Sequence, residues 1–375
     1  MTVSANGPSS PLPGRCFIGL MSGTSMDGVD GVLLRLDPGP ELLASTSLDM
    51  PEALRAALLA LNSSGPDELH RAALAANDLA RLYAQACERL LAASGLPRAA
   101  VRAIGAHGQT VRHRPDLDYT LQLNAPALLA EHCGIDVVAD FRSRDVAAGG
   151  QGAPLVPPFH DAMFNRGAPR AVLNLGGIGN VTLLAPGRPP RGFDTGPANV
   201  LLDAWCQLHT GQAYDRDGLW AAGGTADAGL LRHLVDSEPW FALPAPKSTG
   251  RDLFGLAWLQ QRLASHGRAL GPQDVQATLV ALTAQTVAQA VAGETLTSLL
   301  VCGGGARNPR LMAALAQALP CPVATTDSEG VPGQWVEAMA FAWLARAFID
   351  RQAAGVPEVT GARGPRILGA LYPGR

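Results

Sequence analysis

A chain of 375 residues is long enough for two domains, and 47% hydrophobic against 16% charged residues supplies apolar material for sizeable cores. A formal net charge of −3 excludes the basic footprint that nucleic acid or an anionic membrane surface would require. No stretch reaches the roughly 18–20 apolar residues of a membrane helix, and the six cysteines form no CxxC pair, which leaves a reducing compartment as the default.

The N-terminal run MTVSANGPSSPLPGR has no basic start followed by an apolar core. It reads as a short disordered lead, not a signal peptide. Residues 18–34 (IGLMSGTSMDGVDGVLL) then give an apolar run, a small polar turn and a second apolar run. That succession predicts a β-hairpin with a glycine and hydroxyl turn. Such a turn lets backbone approach a ligand closely, and its N–H groups can form an anion site. Asp27 and Asp30 would repel bare phosphate, so a Mg²⁺-bound nucleotide fits the turn, and so does an ordinary turn with surface aspartates.

A third strand is expected over 41–49, then helices over 51–61 and 66–94, where alanine and leucine recur at helical spacing. Residues 101–112 (VRAIGAHGQTVR) read as a strand entering a polar turn, 125–133 as a helix closed by Gly134, and 135–140 as a buried strand. The glycines of 149–152 and the pair Pro157–Pro158 mark the expected lobe boundary, giving lobes 1–158 and 159–375.

The second half repeats the plan of the first. Residues 171–184 (AVLNLGGIGNVTLL) are again strand, glycine-rich turn and strand, and a short strand ends at Asp194-Thr195-Gly196-Pro197 before a helix from Val200. Residues 208–252 read as irregular. A long helix is expected over 273–292, a strand meeting a glycine run at 298–305, and a helix over 309–319. A strand at 322–326 and an apolar helix over 336–351 follow, and a last strand (about 364–373) could return to either lobe.

Two hairpins of one design predict a duplicated fold. The expected class is α/β: a two-lobed actin-like ATPase fold with ribonuclease H-like lobes and an interlobe active-site cleft. No GxxxxGK[ST] occurs, and Gly176-Gly177-Ile178-Gly179 is not followed by a helical pattern, so P-loop and dinucleotide sites are not expected.

Phosphoryl transfer needs positioning, charge neutralisation and one residue that orients or deprotonates the nucleophile. Asp194, at a strand end before a sharp turn, is the candidate base, with helix capping as the plain alternative. His107, Gln109 and Thr110 have polar tips that suit either a sugar or a set of satisfied turn residues. Arg142 could hold a ligand carboxylate or pair with Asp140, and Glu337 opens an apolar helix. Lys247 is the only lysine in the chain, which hints at a role for a compact point charge, such as one on phosphate.

These blocks resemble the anhydro-N-acetylmuramic acid kinases: GLMSGTSMDGVD at 19–30, GAHGQT at 105–110, DFRSRDVAAGGQGAPLVP at 140–157 and NLGGIGN at 174–180. The likeness continues with FDTGPANVLLDAW at 193–205, PKSTGR at 246–251, VCGGGARN at 301–308 and EAMAFAWLA at 337–345. The resemblance implies a cytoplasmic kinase that phosphorylates O6 of 1,6-anhydro-N-acetylmuramic acid with hydrolytic opening of the anhydro ring, in peptidoglycan recycling. It implies ATP and Mg²⁺, a small sugar as partner, no nucleic acid or membrane, and a homodimer as candidate assembly.

Carried onto this chain, Asp194 matches the catalytic aspartate. Gly23, Thr24, Ser25, Met26, Asp27, Gly28, Val29 and Asp30 match the ATP-binding segment, with Asp27 on the metal side. Gly176, Gly177, Gly179 and Asn180, then Gly303, Gly304, Gly305 and Asn308, are the further ATP-binding expectations, and His107, Gln109, Arg142 and Glu337 those for substrate. Three positions depart from the family pattern. Ala198 stands where glycine is expected, Asp252 where glutamate usually follows GR, and Gln334 where the family is often acidic. A methyl at Ala198 would tighten the turn behind Asp194.

Rival readings are an acyl or polyphosphate kinase on the same fold, and an ATP-driven chaperone or filament module.

Overall fold

The computed structural model describes residues 16–23, 26–37, 39–250 and 253–374. The N-terminal lead, and Thr24, Ser25, Arg251 and Asp252, lie outside them. In chain order the first half forms β1 (Cys16–Met21), β2 (Gly28–Arg35), β3 (Glu41–Asp49), α1 (Glu52–Ala60), α2 (Glu68–Ser94), β4 (Val101–Ala106) and β5 (Gln109–Arg114). Next come β6 (Tyr119–Leu123), α3 (Pro126–Cys133), β7 (Val137–Ala139), α4 (Ser143–Ala147) and α5 (Pro157–Phe164). The second half continues with β8 (Arg170–Leu175), β9 (Ile178–Leu184), β10 (Arg191–Pro197), α6 (Asn199–Thr210), α7 (Leu219–Ala222), α8 (Ala228–Asp236), α9 (Leu256–His266) and α10 (Pro272–Val291). Last are β11 (Leu299–Cys302), α11 (Pro309–Ala318), β12 (Val323–Thr325), α12 (Val336–Ile349), α13 (Pro357–Thr360) and β13 (Ala370–Tyr372).

The chain divides into two compact units, one of residues up to Ala153 with Glu337–Gly355 and Ala362–Arg375, the other of Pro154–Val336 with Val356–Gly361. The division thus falls at 153/154 where the sequence places a boundary at 158. Pro157 and Pro158 are not a linker: they open α5, where the missing N–H of a first-turn proline leaves nothing unbonded. Helix α12 and strand β13 belong to the first unit.

In the first unit the sheet runs β13-β7-β4-β1-β2-β3, and in the second β10-β9-β8-β11-β12. Each is an antiparallel meander of three strands, with the first of the three joined in parallel by the fourth and then the fifth. This shared 3-2-1-4-5 order is the ribonuclease H-like topology, present twice; β13 adds antiparallel to β7 as a sixth strand in the first sheet.

Period-2 alternation sorts the faces of the first sheet. Ile18, Leu20, Ile104 and Ala106 share one core with Leu79, Tyr83, Cys87 and Leu90 of α2. Gly19 and Gly105 point to the other face, against α12. A Cβ on Gly19 would lie 1.9 Å from the Ala338 carbonyl oxygen, and one on Gly105 2.0 Å from that of Phe341. The two glycines therefore let a helix backbone lie directly on the strands. In the second unit α10 is buried nearly all round, as expected for a helix enclosed by other elements.

The irregular stretch expected over 208–252 holds α7, α8 and short 3-10 turns. The β5–β6 ribbon, paired from Gln109↔Leu123 to Arg114↔Tyr119, is not expected from the sequence, which reads its first residues as a polar turn after β4.

Candidate functional site

In the first unit, the turn between β1 and β2 is closed by the Met26 N–H donating to the Gly23 carbonyl at 3.1 Å. Met26 sits at φ 56, a left-handed conformation that costs a non-glycine residue about 1 kcal/mol or more. Its side chain is buried, which holds it there. Gly28 is required by packing, because a Cβ would stand 2.4 Å from the Leu48 carbonyl oxygen. Val29 is part of the core.

The two aspartates of the turn have different surroundings. Asp30 accepts a short hydrogen bond from the Ser47 hydroxyl on the neighbouring strand. The Asp27 side chain is 74% exposed, with the Arg55 guanidinium 3.7 Å away.

Arg142 and His107 are bonded to each other, whereas Gln109 bonds to the first turn. Arg142 donates to His107 Nε2 from Nε at 3.1 Å and from Nη2 at 2.9 Å, and from Nη1 to the Gly152 carbonyl at 2.8 Å. Burial, with the Arg142 charge beside it, pushes the His107 imidazole down to about 3, so it is neutral with its proton on Nδ1. Burial also lowers Arg142 to about 10, against the opposing pull of Glu337 and Asp145. Gln109 is fully buried and accepts a short hydrogen bond from Ser22, so it braces the first turn. Sequence reasoning overlooks two supports here. Tyr83 Oη accepts from the Gly108 N–H at 3.1 Å, and the buried Asp145 accepts from the Gly152 N–H at 2.7 Å.

In the second unit everything converges on Asp194. β10 pairs with β9 as Asp194↔Asn180 and then Gly196↔Gly179, so Thr195 is an extra residue in a β-bulge. The bulge is fixed from inside by the Thr195 hydroxyl on the Gly179 carbonyl at 3.2 Å. Oδ1 of Asp194 accepts from Asn180 Nδ2 at 2.8 Å. Oδ2 accepts from the Thr249 N–H at 2.8 Å and the Ser248 hydroxyl at 3.1 Å. Burial raises the Asp194 carboxyl above the usual range, and the bonds from Asn180, Thr249 and Ser248 and the Lys247 charge pull against it. The expected helix-capping role is absent: Ala198 occupies the cap of α6 without a side-chain bond. Ala198, where the family pattern expects glycine, has φ −120 and ψ −107, outside the helical and extended regions.

The glycine turn between β8 and β9 is tied to the start of α6. The Gly177 carbonyl accepts from the Ala198 and Val200 N–H groups, both at 3.0 Å, and the Gly176 carbonyl from Asn199 at 3.1 Å. Gly303, at φ 81, and Gly305 are both forced by close packing on Asn174 and Leu175, whereas Gly304 is exposed. Asn308 caps α11, its Oδ1 accepting from Arg310 N at 3.0 Å and Leu311 N at 3.2 Å. Gln334 accepts a short bond from Arg307.

Lys247 does not stand free as a point charge. Its Nζ donates to the Phe241 carbonyl at 2.9 Å and lies 4.4 Å from the centre of the Trp240 ring. No group of three or more His, Cys, Asp or Glu residues suited to a metal occurs among the described residues, and no helix of the structure is long and apolar enough to cross a membrane.

A family model for anhydro-N-acetylmuramic acid kinase matches residues 15–374. The chain is 79% identical to the anhydro-N-acetylmuramic acid kinase of Bordetella avium over 100% of both chains. It is 69% identical to that of Bordetella petrii over 98% of this chain and 99% of the relative. Against the enzyme of Pseudomonas paraeruginosa identity is 55%, over 95% of this chain and 98% of the relative.

Proposed function

The chain belongs to the anhydro-N-acetylmuramic acid kinase family, and from that premise we propose that it couples phosphorylation of 1,6-anhydro-N-acetylmuramic acid at O6 to hydrolysis of its anhydro ring, with ATP as donor. The products are N-acetylmuramic acid 6-phosphate and ADP, and the reaction belongs to peptidoglycan recycling in the cytoplasm.

The observation that carries the mechanism is the Asp194 carboxylate, held at both oxygens and raised above the ordinary range by burial. A carboxylate with a raised pKa takes a proton more readily than an exposed aspartate. Asp194 accepts the proton of a water whose oxygen attacks the anomeric carbon. The bond from that carbon to O6 breaks, O6 bonds to the γ-phosphorus, and the bond from phosphorus to the bridging oxygen of ADP breaks. Every atom is then accounted for, with one proton released when Asp194 resets.

ATP binding is assigned in the second unit to Gly176, Gly177, Gly179 and Asn180 and to Gly303–Asn308. In the first unit it is assigned to the Gly23–Asp30 turn. In the second unit Asn308, Gly303 and Gly305 act through the local backbone they shape, and Gly304 presents the open face. Mg²⁺, when bound with ATP, neutralises phosphate charge. The exposed Asp27 carboxylate suits a hard cation that keeps most of its ligands as phosphate oxygens and water, whereas Asp30 is engaged by Ser47. Arg142, His107, Glu337 and Gln109 are assigned to the sugar; the bonds between Arg142 and His107 and from Ser22 to Gln109 leave those side chains little entropy to lose.

The test is product analysis after reaction in ¹⁸O-labelled water. Label at the anomeric oxygen of N-acetylmuramic acid 6-phosphate is expected; unlabelled phosphorylated product would refute the coupled mechanism.

A further inference from the structure

The backbone around Lys247 reaches Asp194 on both sides. The Asp194 N–H donates to the Lys247 carbonyl at 3.0 Å, and the next two residues supply the Ser248 hydroxyl and Thr249 N–H that hold Oδ2. The segment 247–249 is thus a clamp on the carboxylate, although it lies more than fifty positions away in sequence.

The clamp is itself anchored. Lys247 Nζ donates to the carbonyl of Phe241 at 2.9 Å, at the end of a short 3-10 turn (Pro239–Ala242), and lies over the Trp240 ring at 4.4 Å. Exposed carbonyls at a helical C-terminus attract cations, and the negative face of an indole ring attracts an ammonium placed over it. Trp240 also donates from Nε1 to the Ser248 carbonyl at 3.0 Å. Beneath it the buried Glu238 accepts from the Trp240 N–H at 3.1 Å, Trp258 Nε1 at 2.8 Å and Arg262 Nη2 at 3.1 Å. Arg262, Glu238, Trp240 and Lys247 therefore form one continuous support leading to the base.

We propose that Lys247 is a positioning residue for Asp194, its ammonium pinning the 247–249 clamp to the Trp240–Phe241 turn. This inference rests on the reading of Asp194 as the general base. It explains why the single lysine is held by carbonyls and a ring, and it assigns Lys247 no contact with phosphate. Among the described groups acting on Asp194, Lys247 is the only charged one; Asn180 from β9 and Ser248 and Thr249 from the clamp are neutral.

Lys247→Met keeps an unbranched apolar stem over Trp240 and removes the charge and the bond. The expected result is a fall in kcat of about 10- to 100-fold with KM for ATP within about twofold, because misplacing a catalytic group costs rate and not ground-state binding. The acid limb of kcat/KM should move to higher pH on loss of a nearby positive charge. Lys247→Arg retains charge and stacking, so its acid limb should stay at the wild-type pH while kcat falls less than about tenfold. Wild-type kcat and acid limb in Lys247→Met, or a loss confined to KM for ATP, would overturn the proposal.

If thermal melts show that Lys247→Met does not fold, Trp240→Phe replaces it, keeping a ring and losing the bond to Ser248. A severalfold lower kcat at unchanged KM for ATP is expected, and wild-type kcat refutes. Asp194→Asn run in parallel separates the two readings. Turnover in that variant overturns the base itself, whereas a dead Asp194→Asn beside a normal Lys247→Met overturns only the positioning.

Discussion

Asp194→Asn removes the basic oxygen with little disturbance to its surroundings, which makes it a clean perturbation of the chemistry. The carboxylate now accepts from Asn180 on Oδ1 at 2.8 Å and from Thr249 and Ser248 on Oδ2 at 2.8 and 3.1 Å. An asparagine can keep its one acceptor oxygen toward Thr249 and Ser248 and turn its NH₂ toward Asn180, whose own amide flips to accept. All the bonds survive and a buried charge is lost, so stability should stay within about 1 kcal/mol of wild type. What the variant lacks is the base. General-base catalysis is worth about 10²–10⁴ in rate, or roughly 2.7–5.5 kcal/mol of barrier at about 1.4 kcal/mol per decade. The assay is coupled ADP release with the anhydro sugar, together with calorimetric titration of ATP and a thermal melt. A drop of at least about 100-fold in kcat at near-wild-type ATP affinity and melting temperature is expected. In the wild type, kcat/KM should begin to fall on the acid side above the pH of an ordinary aspartate, since burial raises the carboxyl. A kcat within about tenfold of wild type would refute the assignment.

Packing and linkage give two further expectations. Gly105→Ala would set a Cβ 2.0 Å from the Phe341 carbonyl oxygen and force α12 off the sheet. It should cost about 1–3 kcal/mol or more by urea unfolding, whereas Gly293→Ala, whose Cβ meets nothing within 4 Å, should change stability by less than about 0.5 kcal/mol. Burial pushes His160 down to about 3. Its folded pKa thus lies below the unfolded value near 6.5, so the unfolded chain binds more protons between those limits, and stability falls as pH drops below about 6.5 at about 1.4 kcal/mol per unit. His160→Gln should flatten the slope of unfolding free energy between pH 6.5 and 5 by about that amount; an unchanged slope would refute it.

What the sequence decides by itself is local. The paired hairpins, the strand at Glu41–Asp49 and the helix stopped by Gly134 follow from hydrophobic period and glycine punctuation over a few residues, and β3 and α3 stand close to where those signals place them. Asp194 stands out in sequence as a carboxylate at the end of an apolar run, but β10 continues past it to Pro197 through a bulge. Local signals also place the boundary at Pro157–Pro158, where the prolines in fact start α5, and leave 208–252 irregular because its helices are short and weakly periodic.

Only the tertiary structure decides which distant segment supplies the partner. Nothing in the period of residues 336–349 says that they cover β1 and β4, yet Gly19 and Gly105 are shaped for that helix backbone. Nothing in PKST says that its backbone closes on a carboxylate at 194, or that its lysine turns to Trp240 and Phe241. A hydrogen bond across fifty residues has no sequence period, since its geometry is set by how sheets and turns pack. The candidate base is therefore proposed from the chain alone, and the residues that hold it in place become visible only in the fold.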